Sequence, residues 1–63
     1  MRIYVERVND RWAGVCFAIS TEYSDGYLYK ATSAKEAADK FCAEHKVKAD
    51  KIMVMKNGRY KEA

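Results

Sequence analysis

Sixty-three residues, 49% hydrophobic and 33% charged, make one small globular domain and exclude a second core or a long catalytic cleft. No apolar run approaches the roughly 20 residues that cross a bilayer, and no apolar leader follows Met1-Arg2-Ile3-Tyr4-Val5-Glu6, so a cytoplasmic chain without a membrane partner is expected. The net charge of +3 is uneven: residues 1–44 carry six basic and seven acidic side chains, residues 45–63 six basic and two acidic.

Arg2 to Val8 alternates, with Ile3 and Val5 on one side and Tyr4 and Glu6 on the other, which predicts a strand. Asn9-Asp10 is a turn signal, and Trp12 to Thr21 is the most β-prone run. Asp25-Gly26 predicts a second turn and Tyr27 to Thr32 a third strand, giving three antiparallel strands in succession.

At Ser33 the period changes. Ser33-Ala34-Lys35-Glu36 fits a capping box, in which the Ser33 hydroxyl accepts from the Glu36 N–H and the Glu36 carboxylate accepts from the Ser33 N–H. Ala34, Ala37, Ala38, Phe41, Cys42 and His45 then recur at helical spacing as one apolar stripe. Lys46 to Asp50 connects to a fourth strand, Lys51 to Lys56. Asn57-Gly58 predicts a two-residue hairpin turn into a short fifth strand, Arg59-Tyr60-Lys61. The expected fold is α+β: an antiparallel three-stranded meander, one helix on one sheet face, then a C-terminal strand or hairpin. The strand order stays open at this level.

One helix covers one side of such a sheet. Ile3, Val5, Val15, Phe17, Ile19, Leu28, Ile52 and Val54 are assigned to the helix side by alternation and aliphatic character. The opposite face is then expected to show Tyr4, Trp12, Tyr27, Tyr29, Met53 and Met55 around small residues such as Cys16 and Ala18. Aromatic and thioether side chains are enriched at protein interfaces, while tyrosines on a half-wet antiparallel sheet are the bland alternative.

Catalytic and metal chemistry is poorly served. His45 is the only histidine, and Cys42 three residues before it is explained by core packing beside a helix end. Zinc would need a fourth strong ligand beyond Cys16, Cys42 and His45, and no phosphate-cradling glycine loop or cofactor fingerprint occurs. No enzyme and no cofactor are expected. Cys16 and Cys42 are expected to be thiols in an unexported chain.

The stretch from Asn9-Asp10-Arg11-Trp12 to Ser33-Ala34-Lys35-Glu36-Ala37-Ala38 resembles the three-stranded, one-helix arm-binding domains of phage integrases, which share a tryptophan-led strand, a Gly-containing hairpin and a Ser/Thr-x-x-Glu-Ala helix start. The resemblance covers about half of the chain and implies a sheet that reads the DNA major groove. Val15 to Ile19 carries none of the basic residues of such a reader, and the strand around Ile52 to Met55 is additional to that pattern. The whole chain is similar in size and architecture to small α+β proteins with which phages and mobile elements block host factors or toxins.

The leading expectation is therefore a non-enzymatic protein-binding module, an inhibitor that occludes a larger protein through Tyr4, Trp12, Tyr27, Tyr29, Met53 and Met55. The alternative is nucleic-acid binding through Lys46, Lys48, Lys51, Lys56, Arg59 and Lys61 with tyrosines stacking on bases. A homodimer joined through the aromatic faces is the third arrangement.

Overall fold

The computed structural model describes residues 1–23 and 26–63, so Asp25 of the Asp25-Gly26 turn lies outside the described residues. The elements are β1 (Arg2–Asp10), β2 (Gly14–Thr21), β3 (Tyr27–Tyr29), α1 (Ala34–His45), β4 (Lys51–Lys56) and β5 (Arg59–Glu62). They form a small α+β domain whose single sheet has the order β3-β2-β1-β4-β5. The expected meander is present, with β1 antiparallel to β2 and β2 antiparallel to β3. The sheet as a whole is mixed, because the crossover through α1 sets β4 parallel to β1. β5 folds back antiparallel on β4.

Local chemistry explains most of the boundaries. Asp10 Oδ1 accepts from the backbone N–H groups of Trp12 and Ala13, both at 2.8 Å, and holds the β1–β2 turn. Asp10 pairs with Gly14, which takes φ 81°, so Arg11–Ala13 form a three-residue loop. The turn thus lies later than Asn9-Asp10 implied, and Trp12 sits in it rather than on the strand. Asn57 and Gly58, at φ 51° and 80°, supply the paired left-handed residues of the expected β4–β5 hairpin.

Helix α1 starts as expected, with the Ser33 Oγ accepting from the Glu36 N–H at 3.1 Å. The reciprocal half of the box falls one residue earlier. The Glu36 carboxylate accepts from the Thr32 hydroxyl at 2.9 Å and the Thr32 N–H at 3.4 Å. At the other end Lys46 adopts φ 55°, and the Val47 N–H closes back on the Cys42 carbonyl at 3.0 Å.

The core is the layer between α1 and the first three strands. Ile3, Val5, Phe17 and Ile19 meet Ala37, Ala38 and Phe41, with Ile52, Val47 and Cys42 partly buried around them. Ala37 and Ala38 leave Phe41 as the large side chain that α1 buries in this layer, against the bulkier Ile3, Val5, Phe17 and Ile19 of the sheet.

Four assignments of the helix side hold, since Ile3, Val5, Phe17 and Ile19 are all buried there, and Ile52 packs against the same cluster. Val15 has the right phase but is 40% exposed and lies outside the buried cluster. Leu28 is on the wrong side. Cross-strand partners share a face, and Leu28 pairs with Ala18 while Phe17 pairs with Tyr29 and Ile19 with Tyr27. The tyrosines of β3 therefore face the helix, and Leu28, 56% exposed, faces away.

Candidate protein-interaction surface

On the face away from α1, register places Tyr4 beside Met53, and Met55 beside Tyr60. The Tyr4 and Tyr60 rings meet edge-to-face with centroids 5.1 Å apart, reaching toward each other across the intervening strand β4. Toward the other edge the floor drops to Ala18 and Ser20. A depression of about 330 Å³ opens there, lined by Glu6, Ala18, Ser20, Gly26 and Tyr60. Leu28 stands beyond it. Cys16 is 3% exposed on this side of the sheet and does not belong to the helix-side core.

The expected constellation is thus split. Tyr4, Met53 and Met55 come together as anticipated. Tyr27 and Tyr29 do not join them: the Tyr27 ring meets Phe41 at 5.2 Å and His45 at 4.7 Å, and the Tyr29 ring meets Phe41 at 6.2 Å. The Tyr29 hydroxyl donates to Glu44 at 2.9 Å. Withdrawal from water and that bond push its pKa up to about 12. Trp12 stands at the tip of the β1–β2 turn, 90% exposed, with the Arg11 guanidinium 5.8 Å from its ring.

Two residues of the surface escaped the sequence reading. Tyr60 was legible, because the Asn57-Gly58 turn fixes the β5 register and alternation then sets Tyr60 beside Met55. Leu28 was not, because a three-residue strand offers too few positions for its phase to be read.

The basic residues are also divided. Lys46 caps α1 and Lys48 lies in the connection after it. Lys51 opens β4 beside Arg2, in phase with Tyr4 and Met53. Lys56 and Arg59 pair across the C-terminal hairpin and share the opposite phase with Val54 and Lys61. Within the strands, the face toward α1 carries Arg7, Lys56, Arg59 and Lys61 and no carboxylate. The open face carries Arg2 and Lys51 against Glu6, Asp10 and Glu62. The Tyr4–Tyr60 pair and the excess cations thus occupy opposite faces.

The remaining chemistry is modest. Burial pushes the Cys42 thiol pKa up, away from the thiolate that nucleophilic attack requires. His45 stacks on Phe41 at 4.3 Å, with its Nε2 buried and without a hydrogen-bond partner, 3.5 Å from the Glu44 carboxylate. No cluster of three or more metal-ligating side chains occurs among the described residues, and no helix among them is long and apolar enough to cross a membrane. Compared with protein-family models, curated proteins and solved structures, the chain shows no match.

Proposed function

We propose that the protein is a non-enzymatic binding module that docks a larger protein on its open sheet face and acts by steric occlusion, as an inhibitor. The docking surface is Tyr4, Leu28, Met53, Met55 and Tyr60, a revised set in which Leu28 and Tyr60 replace Trp12, Tyr27 and Tyr29. One observation carries the reading: the only helix among the described residues packs on the other side, so this aromatic and thioether cluster has no cover of its own. Tyrosine and methionine supply large, adaptable contact area of the kind that anchors protein interfaces. The near-balanced charge of the same face suits an apolar contact. A nucleic-acid groove would need an excess of cations beside its stacking rings, whereas Arg2 and Lys51 on this face are offset by Glu6, Asp10 and Glu62, and Lys56, Arg59 and Lys61 project from the opposite face.

The test is capture of the partner on immobilised protein, followed by elution with salt and then with denaturant. Retention in salt, and affinity at least about tenfold weaker in Tyr60→Ala or Met55→Ala, is expected for an interface anchored by these side chains. Folded Tyr4→Ala, Leu28→Ala, Met55→Ala and Tyr60→Ala variants that all bind as wild type would overturn the reading. Release of nucleic acid by salt alone would replace it with the phosphate-binding alternative.

A further inference from the structure

Strands lie about 4.8 Å apart, so five of them span roughly 19 Å, close to two helix diameters of about 10 Å. Helix α1 lies over β1, β2 and β3, and the same face of β4 and β5 is left without a helix. The uncovered strip is therefore about as wide as one helix. It is not flat. Two adjoining depressions of about 410 and 180 Å³ run between the start of α1 and the C-terminal hairpin, and both are lined by Lys35, Glu62 and Ala63. Their apolar surface comes from Ile52, Val54, Ala34 and Ala49, with Ile52 and Val54 only half-buried.

The rim of this groove is cationic. Lys35, Lys51, Lys56 and Lys61 line it, and Arg59 stands across the hairpin from Lys56. Among the described residues, ion pairs join Met1 to Asp50 and Lys40 to Glu36, His45 Nε2 lies 3.5 Å from the Glu44 carboxylate, and none of these contacts involves a rim lysine. Asp50 is held by the Met1 ammonium, which leaves Glu62 as the rim carboxylate without an ion pair. Apolar floor and unpaired cations together describe the complement of a particular ligand.

We propose that this groove seats an acidic amphipathic helix of a partner polypeptide beside α1. Its apolar stripe lies on Ile52 and Val54, and its flanking carboxylates pair with Lys35 on one side and Lys56 and Lys61 on the other. This completes the two-helix layer that one face of a five-stranded sheet accommodates, by the same helix-in-groove physics that reads anchors at helical spacing. The site lies on the opposite face from Tyr4 and Tyr60 and does not depend on the open-face reading.

The probe is a synthetic Leu/Glu peptide with leucines on one helical face, titrated into isotope-labelled protein at low and moderate salt. The controls are a peptide of the same composition with its leucines dispersed and a single-stranded oligonucleotide. The expected result is NMR shift changes at Lys35, Ile52, Val54, Lys56 and Lys61, gain of peptide helicity, and affinity that falls with salt. The K35E/K56E/K61E variant is expected to weaken binding at least tenfold, a milder lysine-to-glutamine set less so, and Y60A not at all. Equal binding by the dispersed-leucine peptide or by the charge-reversed protein would overturn the proposal. So would shifts confined to Tyr4 and Tyr60, tighter binding of the oligonucleotide to the same residues, or protection of the groove by self-association of the free protein.

Discussion

Ser33 and Lys46 bracket the helix, and each carries a measurable consequence. The Ser33 hydroxyl satisfies a backbone donor that the first helical turn leaves over. Ser33→Ala is expected to lower stability by about 1 kcal/mol in denaturant unfolding, while Thr32 continues to hold Glu36. Lys46 occupies a left-handed backbone position at φ 55°, where a Cβ is unfavourable. Lys46→Gly is expected to raise stability by about 1 kcal/mol, a gain that would show as a higher denaturation midpoint at unchanged slope. The serine cap was readable because Ser-x-x-Glu is a local pattern. The displaced half of the box was not, since nothing in the four letters says whether Glu36 reaches Ser33 or Thr32.

At the scale of elements, β3 is the instructive one. The long strands revealed their phase, because β1 and β2 each repeat the alternation several times and Ile3, Val5, Phe17 and Ile19 agree with one another. Tyr27-Leu28-Tyr29 holds a single alternation, and both residue types are apolar enough for either face. Pairing with Phe17 and Ile19 decided the matter, a long-range fact absent from the local sequence. The inversion predicts a contrast between neighbours. Tyr27→Ala is expected to cost about 2 kcal/mol through lost packing on Phe41 and His45, and Leu28→Thr within about 0.5 kcal/mol, both measured by thermal or chemical unfolding. Equal costs would place β3 in the other register. Strand order was likewise beyond local reading, because the helical crossover fixes neither how many strands it passes nor which edge it reaches.

For the molecule as a whole, stability should decline at both ends of the pH scale for separate reasons. Asp10, Glu36 and Asp50 all have lowered carboxyl pKa values: Asp10 through the Ala13 and Trp12 N–H groups, Glu36 through Thr32, Asp50 through the Met1 ammonium. A carboxyl pKa depressed by folding contributes stability above its unfolded value and loses it as pH falls through the folded one. Unfolding followed by circular dichroism is therefore expected to grow easier below about pH 4. Tyr29 has the opposite sign. Its folded pKa of about 12 against an ordinary 10.0 means that its contribution is present below pH 10 and disappears as pH climbs toward 12. Tyr29→Phe is expected to flatten that alkaline decline while giving up the Glu44 hydrogen bond, about 1 kcal/mol, near neutrality.

The position of β1 at the centre of the sheet has a temporal consequence. Its partners are the segment that directly follows it and one that begins only at Lys51, so one flank waits until about 40 residues after β1 have been made. A nascent chain emerging residue by residue holds the meander with a long, bare hydrogen-bonding edge until that late strand arrives. Non-local closure of this kind slows the final step of folding. A chain stopped before Lys51 would retain the helix-side core yet offer β1 to any passing strand.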